Sequence, residues 1–190
     1  MKNLKSVLST LAIILIFTAN VNAQKAKKID VKKSKIEWVG KKLTGSHKGT
    51  IDFESGSLTF LDKQLIGGKF VVAMNTINTT DLIAKSKDKL DQHLKSADFF
   101  NTKEFPTASL EFTSVEQTDN ADIYKITADL IIKDISHPVI FDLKLNKLGA
   151  TTLVIVNRTL YDIKYASTGF GALADKAIND DFELHVALVY

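Results

Sequence analysis

From Lys35 onward, apolar and polar residues alternate in one short run after another. Val139, Phe141, Leu143 and Leu145 interleave with Ile140, Asp142, Lys144 and Asn146. The same parity holds for Tyr124, Ile126, Ala128, Leu130 and Ile132 against Lys125, Thr127 and Asp129, and for Phe182, Leu184, Val186 and Leu188 against Asp181, Glu183 and His185. Successive strand side chains point to opposite faces, so each run reads as a strand with one buried and one wet face. Runs rich in β-branched and aromatic residues and bounded by turn residues lie at Lys35–Leu43, Gly49–Phe60, Gly68–Ile77, Ala108–Gln117, Ile123–Lys133, Pro138–Lys147, Thr151–Leu160 and Asp181–Tyr190. The fold class predicted is all-β, with eight antiparallel strands. A sheet with one apolar face packs on a second sheet or closes on itself, and strands joined mostly by short connections suit an up-and-down barrel. A two-sheet sandwich is the alternative.

Between the third and fourth strands the period changes. Ile83, Leu90 and Leu94 fall on one helical stripe, lysines and aspartates fall elsewhere, and Thr80-Asp81 offers a cap, so one amphipathic helix is predicted. Asp98-Phe99-Phe100 and Phe105-Pro106 follow, too aromatic for a free loop. This segment is expected to fold back over an opening of the barrel as a plug or lid.

Residues 1–23 have a different character. Lys2 and Lys5 precede an apolar stretch from Val7 to Ala19, and Val21-Asn22-Ala23 then gives a small-residue cleavage pattern before Gln24, as in a secretory signal peptide. As a helix the stretch would reach roughly 20 Å, short of the roughly 30 Å hydrocarbon core. Cleavage near Ala23, a periplasmic or secreted location and no stable membrane anchor afterwards are expected. Residues 24–34, Lys-rich and poor in large apolar side chains, are expected to be a flexible lead-in, and residues 35–190 the barrel domain.

Composition narrows the chemistry. The 190 residues are 45% hydrophobic and 25% charged, as in an ordinary folded protein. Cys is absent, which removes disulfides, thiolate metal sites and thiol nucleophiles together. A net charge of +3 is spread without a dense cationic run, so nucleic acid is not an expected partner. The four His show no spacing for zinc, and the cluster Asp175, Asn179, Asp180 and Asp181 lacks the Gly and terminal Glu of a calcium loop, so no metal or other cofactor is expected. His93 reads as a helix-surface residue, His137 as part of a turn before Pro138, and His185 as a polar-face strand residue. His47 stands apart, because Gly45 and Gly49 flank it and can hold an imidazole at a rim.

Arg158 is the only Arg. It shares parity with Val154 and Val156 and so falls on an apolar face, where a guanidinium needs a partner. That partner is either an acid such as Asp129 or Asp162, closing the barrel end, or the anionic head group of a ligand. Eleven Phe, six of them in predicted strands, pack a core or line a cavity. An eight-stranded barrel has room inside for side chains or for one small ligand.

The chain from about Ser34 to Tyr190 resembles the YceI-like family. The match is carried by Gly45-Ser46-His47-Lys48-Gly49, Ser55-Gly56-Ser57-Leu58-Thr59-Phe60, His93-Leu94-Lys95-Ser96-Ala97-Asp98-Phe99-Phe100 and Phe105-Pro106-Thr107-Ala108, then by Ala128-Asp129-Leu130-Ile131-Ile132-Lys133, His137-Pro138-Val139 and Asn157-Arg158. Departures are Ala128 and Asp134, where the family usually has Gly, and a variant segment from Tyr161 to Ile178. The resemblance implies a lipocalin-like barrel with a long apolar pocket, which in some members binds polyisoprenoid or related amphiphilic lipid, and it brings no catalytic residues.

Inner parity proposes Trp38, Phe70, Val72, Leu110, Phe112, Ile126, Leu130, Phe141, Leu143, Val154, Val156 and Leu184 as ligand-contacting residues, with His47 and Arg158 to orient the ligand. A lipid of about 40 heavy atoms at about 0.3 kcal/mol per atom gains roughly 12 kcal/mol, near nanomolar affinity, without a strong head-group site. The expected function is therefore non-catalytic lipid carriage, with a second copy of the chain as a candidate partner. The alternatives are a stress-response or interaction module with a filled barrel, and a lipid-modifying enzyme with a polar triad inside.

Overall fold

Tight turns set the order of the sheet. This computed structural model describes residues 24–173 and 177–190. Its strands are β1 (Gln24–Lys28), β2 (Lys35–Lys42), β3 (Gly45–Leu61), β4 (Gln64–Thr79), β5 (Thr107–Gln117), β6 (Ile123–Ile132), β7 (Ile135–Asn146), β8 (Gly149–Asn157) and β9 (Ile178–Val189). One helix, α1 (Ala84–Lys95), lies between β4 and β5. The antiparallel order is β1-β3-β2-β9-β8-β7-β6-β5-β4, and β3 also pairs with β4. That last pairing closes β2 to β9 into the expected eight-stranded antiparallel barrel.

β1 is the strand the sequence did not show. The expected lead-in instead pairs its backbone with the far half of β3, Gln24 opposite Leu61 and Lys28 opposite Ser57, while all its side chains stay exposed. β2 covers only the first half of β3, from Gly45 to Ile51, so an unpaired edge remains for β1 to satisfy. Its Lys27 ammonium lies 5.0 Å from the Phe60 ring and 4.6 Å from that of Tyr190.

The β6–β7 turn corrects another expectation. His137-Pro138 lies inside β7, and the chain reverses at Lys133-Asp134, where φ is 52° and 59°. Two positive φ values between Ile132 and Ile135 make a type I′ hairpin without glycine. Pro138, which has no N–H, is tolerated because β7 pairs with β8 only from Leu143 to Asn146. The expected seventh strand likewise ends early. After Asn157 the chain turns into a 3₁₀ helix, Arg158–Tyr161, capped by the Asn157 side chain accepting from the Thr159 N–H. Tyr161 stacks edge-on against His137 at 5.3 Å beside this splayed part of β7.

The helix also starts later than its apolar stripe implied. Ile83 is extended (φ −126°, ψ 157°) and makes no side-chain cap. Thr80 and Asp81 bind β3 instead: the Thr80 N–H donates to the Lys48 carbonyl at 2.9 Å, and Asp81 pairs with His47 at 3.0 Å. Asp91 ties the helix to the barrel, accepting from the Thr79 N–H at 2.8 Å and pairing with Lys87. The Asp175 of the acidic cluster and the segment 1–23 lie outside the described residues. Among the described residues no helix is long and apolar enough to cross a membrane.

Candidate functional site

The inward faces do not meet in the middle. They enclose a cavity of about 740 Å³, inside the range of small-molecule sites. Four rings from four strands run along its wall in sequence: Phe53 to Phe70 at 6.1 Å, Phe70 to Phe112 at 5.9 Å, and Phe112 to Phe141 at 6.0 Å. Glycines seat three of the large side chains. A Cβ at Gly68 would stand 2.7 Å from the Phe112 ring, one at Gly56 would stand 2.5 Å from Phe70, and one at Gly49 would stand 2.5 Å from Trp38. These rings occupy the space above the neighbouring strand that a side chain there would take.

Of the proposed residues, Trp38, His47, Phe70, Val72, Leu110, Phe112, Leu130, Phe141, Leu143, Val154, Arg158 and Leu184 line the cavity. Ile126 and Val156 do not. Ile126 is 0% exposed and in register with Phe141 and Val115, and Val156 is 1% exposed and opposite Phe182. Parity fixes the face on which a residue lies, but not whether a larger neighbour stands between it and the void.

Arg158 has a different role from the one proposed for ligand orientation. It is 2% exposed and its donors are committed. Nε donates to the Asn179 carbonyl at 3.0 Å, Nη1 to the carbonyls of Ile163 (2.7 Å) and Tyr165 (2.9 Å), and Nη2 to the Ile178 carbonyl (3.0 Å) and Asp180 (3.4 Å). The acid is Asp180, not Asp129 or Asp162, and most of the work falls to backbone carbonyls. Burial lowers the guanidinium pKa, and Asp180 opposes this in part, so the side chain stays charged. It ties Ile163 and Tyr165 to Ile178, Asn179 and Asp180, and its Cζ lies 5.8 Å from the centre of the Phe99 ring.

The wall also holds residues that parity did not propose. Leu90, His93 and Leu94 of α1, with Phe99 and Phe100 after it, close one side, and Tyr165 and Ile178 close another. The segment after β4 thus folds over the barrel opening, as expected. His93 sits 4.4 Å from Tyr165 and 5.7 Å from Phe99, and its Nε2 is buried without a partner. The indole Nε1 of Trp38 is buried and unpaired too. The signal for His93 was its place three residues after Leu90 on the inward helical face. Lys41, Lys42, His47, Ser86 and Lys89 form the mouth, and no Asp or Glu is among the described lining residues.

Of the other His, His185 pairs with Glu183 at 3.2 Å on the outer face. Among the described residues no group of three His, Asp or Glu is placed to hold a metal ion.

Known proteins share this architecture. The Burkholderia cenocepacia BcnA crystal structure superposes with a TM-score of 0.69 at 15% identity, covering 85% of this chain and 99% of that one. A Campylobacter jejuni YceI protein gives 0.53 at 17% identity, covering 100% and 94%. Among curated sequences, Protein YceI of Escherichia coli O157:H7 is 37% identical over 97 residues, 51% of this chain and 48% of that protein. A UPF0312 protein of Yersinia enterocolitica, YE1254, is 37% identical over 98 residues, 52% and 47%. The aligned region thus spans about half the length of each of these curated relatives. The match to the YceI-like domain runs over residues 28–190, and the chain belongs to that family.

Proposed function

We propose that the protein binds and carries an amphiphilic lipid of polyisoprenoid type outside the cytoplasm, without chemical conversion. The observation that carries this reading is the apolar void of about 740 Å³ inside a closed barrel. A domain serving only as a surface module would fill that space, since interiors pack like organic crystals. The tail would lie along Phe53, Phe70, Phe112 and Phe141. Arg158 is spoken for, so the head group need not be anionic. The unpaired Trp38 N–H and His93 Nε2 offer a hydroxyl or carbonyl a partner in a wall where unmade hydrogen bonds are costly. The segment from Asp81 to Phe105 would gate access. Location outside the cytoplasm rests on the signal-like residues 1–23.

The test is native mass spectrometry of protein purified from its own host, beside Val72→Trp, which places an indole in the void. Retained lipid in the wild type, with about tenfold less in the variant at unchanged far-UV circular dichroism, is expected. A wild type that retains no lipid and takes up no fluorescent isoprenoid probe overturns the proposal.

A further inference from the structure

We infer that the mouth of the barrel is a docking face for an anionic lipid bilayer. The inference extends the carrier reading, because cargo can leave a bilayer without crossing water only if the mouth sits on it. Three segments frame the mouth: the β2–β3 turn, the approach to α1, and the stretch Phe170–Leu173. The two most exposed large apolar side chains among the described residues sit on the first two, Leu43 at 78% and Ile83 at 85%. Leu43 follows Lys42, and Ile83 follows Leu82; Lys42 and Leu82 both line the cavity. Phe170 and Leu173 on the third segment are also exposed and share a groove with Lys42.

Three of the four apolar tips have a cation close by. Lys42 precedes Leu43, Lys85 follows Ile83 by two residues, and the Lys164 ammonium lies 5.2 Å from the Phe170 ring. Lys42 and Lys89 reach the cavity mouth itself. Asp81 is engaged by His47 and Asp180 by Arg158, while Glu183 with Lys41 and Asp162 with Lys164 form pairs that offset each other and leave Lys42, Lys85 and Lys89 as the cations of this face. Asp88 is the exposed acid on the helix. Separate apolar tips set among lysines around an oily hole match a bilayer surface, whose head groups admit isolated side chains and whose anionic lipids attract the cations. A protein partner would more commonly be met by one contiguous apolar patch.

The experiment is sedimentation with phosphatidylcholine vesicles, with and without phosphatidylglycerol, using protein from the extracytoplasmic fraction. Wild type is expected to bind the anionic vesicles and to release with added salt. Lys42→Gln with Lys89→Gln should weaken binding about 30-fold, since each lysine near an anionic surface is worth about fivefold. Leu43→Ser with Ile83→Ser should weaken it about tenfold or more. All four side chains are exposed, so melting temperatures serve as the folding control. Wild type that ignores anionic vesicles at low salt, or variants that bind as wild type does, overturns the inference, as does capture of a protein partner through these residues without vesicle binding. A protein that retains lipid yet ignores vesicles sinks the docking face alone. One that docks but neither retains nor takes up lipid sinks the carrier reading alone.

Discussion

Replacing Arg158 with Met separates a clamp from a ligand anchor. The change keeps an apolar stem but removes every guanidinium donor, leaving the carbonyls of Ile163, Tyr165, Ile178 and Asn179 without that partner. A buried acceptor left unpaired costs about 1–3 kcal/mol. The lower figure suits carbonyls that recover water as the segment loosens, and four of them give about 4 kcal/mol. Asp180 adds little, being partly exposed and able to rehydrate. The loss is a large share of a typical 5–15 kcal/mol stability and lowers the melting temperature by roughly 8–16 °C. Arg158→Lys keeps the charge but loses the fork, and should fall near half that cost. Urea unfolding followed by circular dichroism reads both, with the slope checked for constancy. A Met variant within about 1 kcal/mol of wild type, with lipid affinity collapsed, refutes the clamp and returns the guanidinium to a head group.

Tyr161 is buried with its hydroxyl unpaired, and burial pushes its pKa up to about 12. Between about pH 10 and 12 the unfolded chain releases this proton first, so the Tyr161 contribution is present below that window and lost through it. Tyr161→Phe should cost nothing at neutral pH and lose up to about 2 kcal/mol less on alkalinisation, as read from urea midpoints. Burial raises the Asp91 pKa, but hydrogen bonds from Lys87 and Thr79 outweigh it and hold the carboxyl below its ordinary value. The folded form therefore binds fewer protons: Asp91→Ala should cost about 2 kcal/mol at neutral pH, a gap that closes as wild type is acidified through that lowered pKa. Equal gaps at neutral and strongly acid pH would contradict this. Asp134→Gly relieves a positive φ in the type I′ turn and should stabilise by about 0.5–1 kcal/mol in the same assay.

Eight strands were legible because one face of each is buried and the period of two then writes itself into side-chain type. β1 was not, since Gln24–Lys28 bury no side chain and are held by backbone pairing that leaves no mark on composition. The β6–β7 turn misled for the opposite reason: Lys133 and Asp134 occupy positions where Gly or Asn would have announced a hairpin. Within the site, strand parity found the barrel wall, but it is blind to residues delivered by loops. His93 and Tyr165 meet only because two separate segments fold over the same opening. Arg158 was correctly placed on the inner face, yet its partners are backbone carbonyls, which no side-chain pattern encodes.

The three seats beneath Trp38, Phe70 and Phe112 have a consequence for how the interior can change over time. Adding a single carbon at Gly68 leaves the aromatic residue in place but forces its ring toward the hollow, because the 2.7 Å gap cannot hold both. The volume of the hollow is thus adjustable from underneath, by small alterations on a neighbouring strand, while every aromatic remains unchanged. Two chains with identical rings can therefore enclose hollows of different size, and the place to look for that difference is the smallest residue in the sheet.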